Sequence, residues 1–137
     1  MVKLSPQQVV SCSKYYSGCG GGGLIDTAFN YIQSAGGSAY DAYYPYTSGG
    51  TGQAGECVDF VEPKFTPAVT FSGFSAISGE TTTVAKYVSS TGPVTVYIDA
   101  TALQTYTNGV LTVSSCPAVE SYINHAGKKI KNNKNMK

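Results

Sequence analysis

The segment Leu4–Gly22, LSPQQVVSCSKYYSGCGGG, is the part of the chain that most limits what it can become. Ser5 suits a helix N-cap, Pro6 the first helical position, and Gln8 the return half of a capping box. Val9 and Val10 are the expected buried face of this short helix, which should break at Ser17-Gly18. The run Gly20 to Gly23 then requires a loop, with positive φ or a close backbone approach as the reason for the glycines. It is not a phosphate-cradling loop, because no Lys-Ser/Thr pair follows it and no apolar strand precedes it.

Four cysteines in a chain rich in Gly, Ser and Tyr suggest a disulfide framework made in an oxidising compartment. Zinc is the rival use. Cys12 and Cys19 form the only close pair, and six residues separate them, too many for a metal knuckle. No metal and no cofactor are expected.

Ile25, Ala28, Phe29 and Ile32 recur at helical spacing, with Asp26 in the first turn and Gly36-Gly37 as the stop. Residues 38–67 should coil over a surface without a long regular element. Val84, Tyr87 and Val88 predict a second helix ended by Gly92-Pro93. Val94–Ile98 alternates, so Val94, Val96 and Ile98 should share one face of a strand. Asn108-Gly109 is a turn signal, and Val110–Val113 is the expected second strand. Helices first and strands second make an α+β pattern.

Charge is unevenly placed. Residues 1–126 carry a net −4, and the last eleven residues carry +5 from five lysines. The tail, residues 127–137, is expected to be solvated and without packed structure. No apolar run approaches the roughly 18 residues of a membrane span. Neither nucleic acid nor membrane is an expected partner, and the chain should be a monomer.

Several segments, taken in order, resemble papain-like cysteine proteases, closest to the cathepsin L group. LSPQQVVSC resembles the family's LSEQ-type helix ending in a cysteine. SGCGGGG resembles its GC-x-GG segment with one extra glycine. GLIDTAFNYI resembles the next helix, and YPYTS and Cys57 follow in family order. GPVTVYIDA resembles the first strand of the second half, and INHA resembles the catalytic-histidine segment. The resemblance covers roughly residues 3–126. It implies a two-lobed α+β fold, present here incompletely. Residues 1–70 would be part of the helical lobe and residues 71–126 part of the β-barrel-like lobe.

The resemblance also implies roles. His125 would be the general base of a Cys-His pair. Gly22 and Gly23 would pair with an extended substrate backbone, and Leu24, Ile25 and Tyr97 would line the apolar S2 pocket. Tyr97 is bulky where the cathepsin L pattern has a small residue. Cys12 and Cys57 would form a disulfide, leaving Cys19 and Cys116 as unpaired thiols. No Cys-Gly-Ser-Cys-Trp-type segment occurs, so the nucleophile should lie before residue 1 and the orienting Asn after residue 137. The change from Ala126 into a Lys/Asn run suggests a shifted frame or a truncated gene. The expected function is therefore a cysteine-type endopeptidase of peptide or protein substrates, secreted or lysosomal/vacuolar, with this chain inactive by itself. The alternatives are a non-catalytic form that binds peptides or cystatin-type inhibitors, and a gene fragment without function.

Overall fold

The computed structural model describes residues 2–13, 18–58, 66–112, 114 and 119–129. The chain forms two compact units, one ending at Ser75 and the other beginning at Ala76. The fold is α+β: short helices and one antiparallel two-stranded ribbon.

In the first unit, α1 (Pro6–Cys12) starts where the sequence places it, and Ser5 Oγ accepts the Gln8 N–H at 3.1 Å. The reciprocal half of the capping box is not made. Ser5 N–H donates instead to Ala39 O at 2.9 Å. Gln8 turns into the interior, where Nε2 donates to Gly37 O at 3.0 Å and Oε1 accepts from Ala39 N–H at 2.8 Å. The expected Val9-Val10 face is only half-buried, and Gln7, Gln8 and Cys12 are the buried residues of α1. A helix of seven residues has little stability of its own. Its side-chain amides hold it by joining distant loops.

Gln7 uses every polar site it has. The two hydrogens of Nε2 are shared among three acceptors, Ser11 Oγ, Ser48 Oγ and Ala54 O, each at 2.8 Å, and Oε1 accepts from Thr47 and Ser48 N–H. The loop after residue 38 is thereby tied down, and its single helical turn α2 (Ser48–Thr51) is pinned at Ser48. A disulfide joins Cys12 to Cys57 across 45 residues. Tyr44 sits beside it, its hydroxyl donating to Glu56 O and accepting from Val58 N–H.

The longer helix α3 (Ile25–Ser34) has the expected extent and no fully buried residue. Phe29 stacks on Phe74 at 5.3 Å and meets Phe71 edge-on at 5.7 Å, while Gln33 Nε2 donates to Ser72 O at 2.6 Å. These contacts fix the helix against segment 71–74. At its end Gly37 has φ 138°, and a Cβ there would lie 2.6 Å from both Pro67 and Val69 O, so only glycine fits. The Ser38↔Val69 bridge depends on that approach.

In the second unit α4 (Thr81–Ser90) buries Val84 and Val88. β1 (Val94–Ile98) has Val94, Val96 and Ile98 half-buried, in the predicted alternation. Its partner is not segment 110–113. Val110 is 91% exposed, residues 110–112 form no strand, and Val113 lies outside the described residues. The partner is β2 (His125–Lys129), in register Val94↔Lys129 to Ile98↔His125. Residues 127–129, expected in an unpacked tail, are therefore strand. Backbone pairing needs no apolar side chain, and Lys128 and Lys129 remain exposed while the backbone of β2 pairs with β1.

Candidate active site

His125 is the first residue of β2 and is exposed. It lies opposite Ile98, while Ala126 lies opposite Tyr97. Directly paired residues project to the same side of a sheet, and neighbours along a strand to opposite sides. His125 and Ile98 therefore occupy one face of the ribbon, and Tyr97 and Ala126 the other. The predicted base and the predicted specificity residue are adjacent in register but separated by the sheet.

Ahead of His125, Asn124 fastens the end of the ribbon. Its N–H donates to Ile98 O at 3.2 Å, and its Oδ1 accepts from Ala100 N–H at 2.8 Å. Its Nδ2 donates to Thr101 Oγ1 at 3.0 Å and to Asp99 Oδ1 at 3.3 Å. Asp99 Oδ1 also accepts from Thr101 N–H at 2.9 Å. Hydrogen bonds from the Thr101 hydroxyl and N–H, with a further one from Asn124, hold the Asp99 carboxyl below its ordinary value. A depression of about 570 Å³ opens here, lined by Asp99, Thr101, Ala102, Ser121, Tyr122, Ile123 and Asn124. Sequence alone assigns no role to Asp99 or Asn124, although both lie inside the segments GPVTVYIDA and INHA.

The other predicted residues lie in the first unit. Gly22, Gly23 and Leu24 are exposed in the extended link between the short 3-10 turn Gly18–Gly20 and α3, and half-buried Ile25 opens that helix. The positive φ expected of the glycine run falls on Gly18, at 55°, and on none of Gly20 to Gly23. A Cβ on Gly18 would strike Ala54, whereas one on Gly22 would meet nothing within 4 Å. Packing inside the unit does not explain Gly22, and the surface above it is open. Cys19 is exposed and is a free thiol among the described residues. Cys116 lies outside them. Among the described residues no group of three His, Cys, Asp or Glu could hold a metal ion, and no helix is long and apolar enough to cross a membrane.

The family model for papain family cysteine proteases matches residues 1–135. The chain belongs to the papain family of cysteine proteases. It is 41% identical over 139 residues to cysteine proteinase A of Leishmania mexicana, covering 100% of this chain and 36% of that one. It is 37% identical over 134 residues to digestive cysteine proteinase 2 of Homarus americanus, covering 92% and 38%. Among solved structures it is similar to the bromelain protease of Ananas comosus, with a TM-score of 0.76 at 30% identity, over 95% of this chain and 55% of that one. It is also similar to digestive procathepsin L 3 of Tenebrio molitor, with a TM-score of 0.73 at 32% identity, over 94% and 40%. This papain-family chain spans 24% to 38% of the length of curated relatives of this kind.

Proposed function

We propose that the chain is the substrate-binding and base-bearing part of a papain-type endopeptidase of the cathepsin L-like group, with His125 as the general base. The observation that carries this is the placement of the chain's sole histidine, exposed at the head of β2 and beside the Asn124 network. A thiol peptidase needs a base that reaches solvent and substrate but whose backbone does not wander. The exposure of His125 and its place in a paired strand support that role. The nucleophile is not among the described residues of the second unit, and Cys19, an exposed thiol in a glycine-rich turn, has no assigned base. Peptide-bond cleavage therefore belongs to the protein in which this chain is joined to a nucleophile.

In that protein Gly22 and Gly23 pair with extended substrate backbone, since open space above Gly22 leaves room for a second chain. By the family resemblance Leu24 and Ile25 of the first unit, and Tyr97 of the second, are each P2 contacts. The bulk of Tyr97 would favour Val over Phe at P2. Substrates are peptides or proteins, cystatin-type inhibitors are the macromolecular ligands, and the protein is a monomer. A secreted or lysosomal/vacuolar location agrees with the Cys12–Cys57 disulfide.

The test is the native protein carrying its flanking segments. An epoxide thiol inhibitor should titrate it, and His125→Ala should lower kcat by roughly 10³-fold or more. Full activity in His125→Ala would end the assignment.

A further inference from the structure

Asn108-Gly109 is a turn signal that leads into no hairpin. Residues 110–112 form no strand, and Asn108 and Gly109 are both exposed. Gly109 has φ 89°, and a Cβ there would meet nothing within 4 Å. One hydrogen bond marks the turn, from Tyr106 Oη to Gly109 O at 2.6 Å, and it engages the far carbonyl. Among the described residues, the Gly109 N–H and the Asn108 carboxamide make no hydrogen bond.

An asparagine carboxamide can be attacked by the backbone nitrogen that follows it, because the ring so closed has five members. A side chain on the following residue, a hydrogen bond on its N–H and a fixed backbone each hinder the attack. Asn108 has none of these protections. The other described asparagines have them. Asn30 lies inside α3, where helical bonding takes the N–H of the bulky residue that follows, Tyr31. Asn124 has its carboxamide bonded to Ala100, Asp99 and Thr101, and His125 follows it in a paired strand.

We propose that Asn108 is a site of spontaneous deamidation, with water as the one reactant consumed. The Gly109 nitrogen gives its proton to hydroxide, and its electron pair bonds to Asn108 Cγ. The Cγ–Nδ2 bond breaks and ammonia leaves, so that a succinimide remains. Water then opens the ring at either carbonyl. Opening at Cγ gives aspartate, and opening at the backbone carbonyl gives isoaspartate, whose main chain runs through Cγ and is one methylene longer. Either product adds a negative charge to the turn, and the longer one loses the Tyr106–Gly109 span. The inference is independent of the peptidase reading.

The test uses the 137-residue chain, held at mildly alkaline pH with its ribbon amides protected from exchange, beside a sample in denaturant. Trypsin then releases residues 87–128 as one peptide that carries both Asn108 and Asn124, so each is measured against the other. Mass spectrometry should find the gain of a carboxylate at Asn108, with isoaspartate among the products. Its rate in the folded chain should lie within about tenfold of that in denaturant, since no local opening has to come first. Asn124 should convert more slowly than Asn108 in the folded chain. Asn108→Gln keeps the carboxamide but requires a six-membered ring, and should slow the reaction about tenfold or more. Gly109→Ala, which sets a methyl beside the attacking nitrogen, should slow it as well. Conversion at Asn108 suppressed more than about tenfold by folding, conversion that favours Asn124, or a Gln variant that reacts at the wild-type rate would overturn the proposal.

Discussion

Gln7 and Gln8 are the largest fully buried side chains among the described residues, at 2% and 0% exposure. A buried amide is tolerable only when its partners are all present, and here most of the partners lie in the loops at residues 37–39 and 47–54. Gln7→Leu conserves apolar volume but strands the Thr47 and Ser48 N–H groups and removes a donor to Ala54 O. A loss of about 3 kcal/mol is expected, from roughly 1–3 kcal/mol for each buried group left without a partner after relaxation. Equilibrium denaturation should show it as a lower midpoint, and an unchanged midpoint would mean that water replaces the amide. Tyr97 is a residue-scale matter of another kind. Tyr97→Ala in the native enzyme should raise the preference for Phe over Val at P2, read from a substrate library, with little change in fold because Tyr97 is 41% exposed.

Among elements, α1 and the β1–β2 ribbon are both too short to persist by local bonding alone. The disulfide anchors the end of α1 by closing a 45-residue loop, worth about 4 kcal/mol in the chain-entropy account. Replacing Cys12 and Cys57 together by Ser should lower stability by that order, measured by denaturant titration. The ribbon end is held electrostatically. The Asp99 carboxyl titrates below its ordinary value of 3.8, so its hydrogen bonds stabilise the folded form above that value and are lost as pH falls through the lower folded value. The Asn124 side-chain amide signals should therefore stay constant from neutral pH down to the ordinary carboxylate range and move only below it. In Asp99→Asn that acid-induced movement should disappear.

For the whole molecule, the question is how much of a peptidase the chain contains. It spans 24% to 38% of the length of curated relatives, and cleavage requires a nucleophile and a base acting as one unit. The chain alone should give no turnover of a dipeptidyl fluorogenic substrate under reducing conditions. Turnover blocked by an epoxide thiol inhibitor would show that one of its own cysteines serves.

Much of this was legible in local patterns. The α3 spacing, the Ser5 cap and the alternation in β1 depend on neighbours within a few residues, and sequence displays such neighbours directly. So did the α+β order of elements and the family motifs around His125. The errors came where distant groups compete. Gln8 has the spacing of a capping box, yet two buried groups at residues 37 and 39 claim its amide. Val110–Val113 has strand composition, but β1 takes its hydrogen bonds from the segment that carries Lys128 and Lys129. Composition describes what a side chain prefers, whereas pairing is settled by which backbone can reach the open edge. The candidate for the base was thus named by sequence. Its register opposite Ile98, and the amide that holds it there, were decided only by tertiary structure, because both arise between groups some 25 residues apart.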